Sequence, residues 1–350
     1  MGLKHRIIGA GFAAVRTTGV ARLVAPRTQG LGAILMFHHV RPWASRCFAP
    51  NRELEITPEF FDGVLQLLRR RGIVIVALDE AIERVKAGRS DRPFVALTFD
   101  DGYRDNVEWA LPILSREQAP MTLFATTGFI DRAARLWWLE IEEAIHRLDA
   151  IEVVVGGQSF KASLANDADK ERAAERLLGL LRAAPQDEVD RVASELADEA
   201  SVDPRALVER LCLDASELSV LATHPLVTIG AHTITHPMLA KVDEARARAE
   251  LVEAKADLER RIGRAVRHLA YPVGDPGSAA KREFRLAAEA GYSSAVTTRP
   301  GMLFPDHGRH LTALPRLSIN GRFQSLGDVD LLLTGVPFAL WNRGRRLNVA

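Results

Sequence analysis

Two carboxylates stand side by side in Leu97-Thr98-Phe99-Asp100-Asp101-Gly102-Tyr103, directly after a run of apolar residues. The run reads as a buried strand, and Gly102 permits a tight turn. Both acids therefore fall at a strand's C-terminal end, where α/β enzymes hold their reacting groups. The plainer reading of an isolated Asp-Asp-Gly is a helix cap beside a solvated acid. A phosphatase-type aspartyl nucleophile would want a second Asp two positions after Asp100, and Gly102 stands there. A second polar strand end is Gly230-Ala231-His232-Thr233-Ile234-Thr235-His236-Pro237, after the β-rich Leu226–Ile229. His232 and His236 are four apart and can converge on one helical turn or in a tight loop. Neutral imidazole suits zinc and its neighbours, although alone the pair also reads as loop or core histidines. A zinc-protease helix would carry Glu after the first His, and Thr233 occupies that place. One carboxylate with two histidines makes a three-ligand set with positions left open for water.

Met36-Phe37-His38-His39-Val40 ends another apolar run. Successive strand residues point to opposite faces, so at most one of His38 and His39 faces a barrel mouth. A metal amidohydrolase would want His-x-His here, and the two are adjacent instead. Ala270-Tyr271-Pro272-Val273-Gly274 suggests a shaped loop, and Arg316 sits near a late strand end. Trp137-Trp138 reads as core packing, with stacking on a sugar ring as the alternative. His224, His268, His307 and His310 have no partner visible in the sequence, and Cys47 and Cys212 read as unreactive side chains.

The elements that must position these residues alternate between β and α. Apolar runs at Ile34–Phe37, Ile73–Val76, Phe94–Phe99, Thr122–Ala125, Val227–Gly230, His268–Tyr271, Ala295–Thr297 and Leu317–Ile319 predict strands. Amphipathic stretches at Pro58–Arg70, Leu78–Lys86, Asn106–Arg116, Asp243–Arg261 and Ser278–Ala290 predict helices between them. This rhythm means a parallel sheet or a β/α barrel, and seven or eight units fit a barrel better. From about Asp131 to Pro225 the rhythm breaks into a mostly helical stretch with one short hairpin pattern around Gly156-Gly157. We read it as a cap inserted at 131–225 within a 33–330 domain, followed by a tail over 331–350.

Lys+Arg 46 against Asp+Glu 45 leaves a net charge of +1, so no global field points to nucleic acid. Two distant cysteines exclude a disulfide scaffold or a zinc finger, and no apolar run is long enough to span a bilayer. The charge is uneven: eight Lys/Arg and no acid precede Glu53. Residues 1–32 form a basic, helical arm in this reading. A poor signal peptide, an arm on an acidic membrane face and a helix packed on the domain all stay open for it. Cytoplasmic placement, with or without membrane association, is the expectation, and export stays open.

Taken together, the motifs resemble those of the polysaccharide deacetylases, the family-4 carbohydrate esterases with a nodulation-deacetylase homology domain. Thr98-Phe99-Asp100-Asp101-Gly102 is that family's first motif, His232 to Pro237 is similar to its second, and Leu269 to Gly274 resembles a degenerate third. The resemblance runs from about Ile34 to Arg316 and implies an α/β fold, a distorted (β/α) barrel of about seven strands carrying the helical insertion. It implies a metal-dependent hydrolase that removes an N-acetyl group from an N-acetylated oligo- or polysaccharide. By motif position Asp100 is the general base, and Asp101, His232 and His236 hold a divalent metal, most simply Zn²⁺. An Arg that braces the base in many members is replaced by Ala270, and Arg316 is the candidate substitute. The family's late catalytic His has no clean match, but Phe37-His38 resembles the N-terminal arrangement of some members, which makes His38 the general acid. The Val273 N–H, Tyr103 and Arg316 are the candidates for oxyanion or substrate contact. Two alternatives stand beside this reading. One is removal of formyl or another small acyl group from a lipid-linked aminosugar; the other is a catalytically silent carbohydrate-binding barrel.

Overall fold

The computed structural model describes residues 20–349. Seven parallel strands close a barrel: β1 (Gly32–Phe37), β2 (Phe94–Phe99), β3 (Met121–Ala125), β4 (Val227–Ala231), β5 (His268–Ala270), β6 (Ser294–Pro300) and β7 (Leu314–Ser318). They neighbour one another in chain order, and β1 closes the ring by pairing with both β2 and β7. The β1–β2 register runs unbroken from Gly32 opposite Phe94 to Phe37 opposite Phe99. Both strands are buried along their whole length, which is why they read as continuous apolar runs and not as an alternation. The predicted strand Ile73–Val76 is outside the ring: only Val74–Ile75 is extended, flanking the first residues of β2.

Alternation sorts the side chains into two layers. Ile34, Ala96, Phe124, Ala270, Val296 and Leu314 belong to one apolar cluster that fills the barrel. Leu35, Phe37, Leu97, Phe99, Leu123, Ile229 and Leu317 belong to another, shared with the surrounding helices. The inward residues all have even numbers, a parity that continues past the strand ends into the mouth. Crowding inside is tight at Gly230, where a Cβ would come within 2.5 Å of the Phe124 ring.

The helices follow local signals. Pro58–Arg70 starts at the Thr57 cap, whose hydroxyl accepts from Phe60 N–H, with proline at the first helical position. Glu244–Ile262 starts at the Asp243 cap and stops at Gly263 in the left-handed conformation. Between β3 and β4 lie the single helical turn Thr127–Ile130, five longer helices, Trp137–Arg147, Asp167–Ala183, Gln186–Glu199, Pro204–Leu211 and Ala215–Ala222, and an antiparallel hairpin, Ala150–Val155 with Gln158–Ser163. Most of this segment packs on its own apolar cluster, which includes Ile141, Val153, Leu177, Val192 and Leu196. At the other end of the chain, Leu326–Leu332 and Val336–Trp341 are helical. The basic segment 1–19 lies outside the described residues. Among the described residues no helix is long and apolar enough to cross a membrane.

Candidate active site

The inward parity brings the chemistry to one end. Met36, His38, Asp100, His232, Thr298 and Ser318 follow the inward positions of their strands, and all line one cleft of about 230 Å³ at the C-terminal ends of the strands. Asp101, His236 and Val273 line it from the loops. These loops are bent hard. Asp101, Thr233, His236 and Val273 have φ of 71°, 64°, 58° and 61°, half of the eight non-glycine residues with left-handed backbone among the described residues. Such conformations cost of order 1–3 kcal/mol each and persist where surrounding structure over-determines them.

Asp101 Oδ1 lies 3.3 Å from Nε2 of His232 and 3.3 Å from Nε2 of His236. The ligand atoms of the three residues all lie within 4.8 Å of one another. His232 Nδ1 is 2.7 Å from the carbonyl of Ala270, to which it donates, so its Nε2 presents a lone pair to Asp101. Asp101 Oδ1 is buried without a hydrogen-bond donor. A buried carboxylate oxygen facing an imidazole lone pair, with no donor, is the environment a divalent cation satisfies. The donor set fits one.

Glu250, on the long helix Glu244–Ile262, ties down the loop that carries both histidines. Its carboxylate accepts from Ile234 N–H at 2.7 Å, from Thr235 N–H at 2.9 Å and from the Thr235 hydroxyl. Asp100 is held differently. The Arg316 guanidinium donates to Oδ1 at 2.8 Å and Oδ2 at 2.7 Å, and also to Thr98 Oγ1 and the Thr297 carbonyl. Burial alone would raise the Asp100 pKa; the charge and hydrogen bonds of Arg316 outweigh it and hold the carboxyl below its ordinary value. Arg316 is 1% exposed and does not line the cleft, so the structure places it behind Asp100 and not on the cleft wall.

His38 and His39 part as alternation requires. His38 lines the cleft, and its carbonyl accepts from Asn106 Nδ2 at 2.6 Å. His39 turns away: its Nδ1 is 2.5 Å from Asp105 Oδ2, and its ring stacks on Tyr103 at 3.5 Å. Tyr103, expected at the oxyanion or substrate, is fully buried behind the site and does not line the cleft. The stack on His39 and the bridge to Cys212 of the inserted segment account for that placement. Val273 does reach the cleft, its carbonyl accepting from Thr298 Oγ1 while its N–H has no protein acceptor among the described residues.

Sequence reasoning missed the outer wall. Asn51, Glu53 and Leu54 approach from the loop before the first large helix, and Asp275 and Asn320 from strand-end loops. The inserted segment adds Trp137, Trp138, Leu178 and Arg182. Both tryptophans are buried in that segment's core, as the packing reading expected, and also line the cleft. Glu53 links the walls, pairing with Arg322 at 3.1 Å and lying 3.9 Å from Arg182. No local pattern marks Glu53 in the sequence.

The profile of the polysaccharide deacetylase family matches residues 87–183 and 188–295, more than half of the chain. The chain belongs to the polysaccharide deacetylase family. The match covers Asp100, Asp101, His232 and His236 and stops short of both His38 and Arg316. Among curated proteins, no sequence matches this chain. Its fold is shared with several solved structures. The Streptococcus pyogenes deacetylase PplD, in complex with acetate, superposes with a TM-score of 0.54 at 19% identity over 87% of this chain and 98% of that one. IcaB from Ammonifex degensii gives 0.54 at 17% identity over 87% and 98%. A de-N-acetylase from Aggregatibacter actinomycetemcomitans gives 0.55 at 14% identity over 86% and 98%.

Proposed function

We propose that this family member removes the N-acetyl group from an N-acetylated sugar of an oligo- or polysaccharide, with a divalent metal, Zn²⁺ in the simplest case, held by Asp101, His232 and His236. The observation that carries the reading is the convergence of that ligand set with the Arg316-braced Asp100 and with His38 in one cleft. A solved relative of the same fold holds acetate, the acid this reaction would release.

A divalent cation at this position would polarise the amide carbonyl and make water a stronger acid. Asp100, kept ionised by Arg316, takes the proton of the attacking water as its oxygen adds to the acetyl carbon. The Val273 N–H donates to the oxyanion that develops on the carbonyl. His38 then protonates the departing sugar amine as the C–N bond breaks, leaving acetate and a free amine. Burial pulls the His38 pKa down, the Asp101 and Asp100 carboxylates offsetting part of the effect, so its protonated form gives up a proton readily. The inserted segment, with Trp137, Trp138 and Arg182 on the cleft wall, selects the substrate in this reading and supplies no reacting group.

Acyl release from N-acetylglucosamine oligomers tests the assignment. Acetate is the expected product; formate from an N-formylated, lipid-linked aminosugar with no acetate from the oligomers would replace this reading. His38→Ala should keep the metal and lose roughly 10²–10⁴-fold in kcat, as removal of a proton-transfer group does. His39→Ala should cost far less, and the opposite ranking in folded, metal-loaded protein would remove His38 from the mechanism.

A further inference from the structure

We propose that the two ends of the described chain together form a surface that docks on an anionic lipid bilayer. The helices Val20–Thr28 and Val336–Trp341 pack against one another, and Thr28 Oγ1 donates to the Thr334 carbonyl at 2.6 Å. On each helix the inward residues are buried: Ala21 and Ala25 on the first, Phe338 on the second. Two positions further round, Leu23 is 78% exposed and Leu340 67%, with Trp341 beside it at 60%. Leucine and tryptophan turned outward on short helices are what a surface-bound segment inserts at the headgroup boundary, where tryptophan partitions well.

Charge decides the partner. Residues 1–40 and 331–350 contain no Asp or Glu, yet they carry five and three Lys/Arg. Arg27, Arg343, Arg345 and Arg346 are exposed, and none makes an ion pair with an acid among the described residues. Arginines elsewhere on the surface are compensated: Arg285 pairs with Glu244 and Glu289, and Arg191 with Glu188 and Glu195. Arg346 is held with its guanidinium 5.1 Å above the Phe304 ring, at the protein surface. Uncompensated arginines around an apolar patch match a negatively charged membrane face. A second copy of the chain fits poorly, because a two-fold contact would bring the same arginines together.

Co-sedimentation of the full chain tests this, with phosphatidylcholine vesicles compared against vesicles that also contain phosphatidylglycerol. Binding is expected to the anionic vesicles only, and to weaken as salt is raised. Changing Arg343, Arg345 and Arg346 together to Gln should lower the partition coefficient roughly hundredfold, taking each basic residue at the surface as roughly fivefold. L340S/W341S should also release the protein, with deacetylation of a soluble oligomer unchanged as evidence of an intact fold. Equal binding to neutral vesicles, no binding to either, or full binding by the triple Arg variant would overturn the proposal. Concentration-dependent dimers abolished by L340S/W341S would assign the patch to a second copy instead.

Discussion

The barrel carries an Asp/His cluster at each end, and only one of them is built for chemistry. At the mouth, Asp101, His232 and His236 follow the last residues of β2 and β4, face an open cleft and leave Asp101 Oδ1 without a donor. At the floor, His268 is the first residue of β5 and Ser294 the first of β6. Ser294 Oγ lies 2.8 Å from His268 Nδ1, and His268 Nε2 lies 3.2 Å from Asp79 Oδ1. By residue type this is a Ser-His-Asp array like that of a nucleophilic hydrolase, although with the ring nitrogens exchanged, since a triad has its serine at Nε2 and its aspartate at Nδ1. Yet Ser294 is fully buried and His268 is 1% exposed, so no carbonyl can approach the hydroxyl. Asp79 sits in the first turn of the helix Leu78–Ala87, and the adjacent His268 imidazole lowers its pKa. The floor array thus fastens a helix to the barrel. Residue types and spacing nominate a site, whereas the strand end and access to solvent decide it.

Loss of a metal ligand at the mouth should have the greatest consequence. His232→Ala should strip the metal and cost roughly 10³-fold or more in kcat/KM, because the several kcal/mol that a cation gives the transition state disappear. Metal analysis of purified wild type and variant, beside the rate, is the check. Equal metal content in both would take His232 out of the ligand set.

Arg316 sharpens the contrast through pH. Its guanidinium holds Asp100 below the ordinary carboxyl range against burial, so the base form persists into acid. Arg316→Met would remove the strongest opposition to burial, leaving only His232 and His38 to lower the Asp100 pKa; that pKa would rise, and the acid limb of the kcat/KM profile would move to higher pH. About tenfold in rate would be lost for each unit by which that limb overtakes the assay pH. An acid limb that stays in place would mean that Asp100 is not the group titrating there.

Legibility in the sequence follows contiguity. The barrel strands can be read because strands buried on both faces are unbroken apolar runs, and Asp100-Asp101 and His232 to His236 because a whole site loop is local. Alternation from Phe37 separates His38 from His39 without any structure. The same run signal misplaces Ile73–Val76, since an apolar run cannot say whether its edges find two partners or one. Arg316 could be nominated as the substitute brace, but its bidentate grip on Asp100 comes from ring closure, with β1 pairing to β7 on one side and β2 on the other. Glu250 and Glu53 gave no signal because their partners are loops from other parts of the chain. His268 gave none either, its partners lying at Asp79 and Ser294.

Glu250 sets a smaller, graded effect at the mouth. Removing its carboxylate leaves the Ile234 and Thr235 N–H groups without their acceptor and frees a loop held in left-handed conformations at Thr233 and His236. Glu250→Ala should weaken metal affinity by about 10–100-fold, the usual cost of losing support behind a ligand, while kcat of the metal-saturated protein changes little. Competition with a coloured chelator measures the affinity directly. Unchanged affinity would show that the loop holds its shape without the helix.

The smallest expected effect belongs to the floor. Ser294→Ala deletes the hydroxyl that meets His268 Nδ1, a buried hydrogen bond worth about 1 kcal/mol of stability. Both neighbours stay in place: Asp79 still faces His268 Nε2, and the strand register of β5 and β6 does not involve the Ser294 side chain. The variant should therefore unfold at slightly lower denaturant and release acetate at the wild-type rate with the wild-type metal content. Were the floor a second hydrolytic centre, the nucleophile would be gone and its share of the turnover with it, as happens when a true triad loses its serine. A rate loss in Ser294→Ala beyond its loss of folded protein would therefore erase the distinction between the two ends.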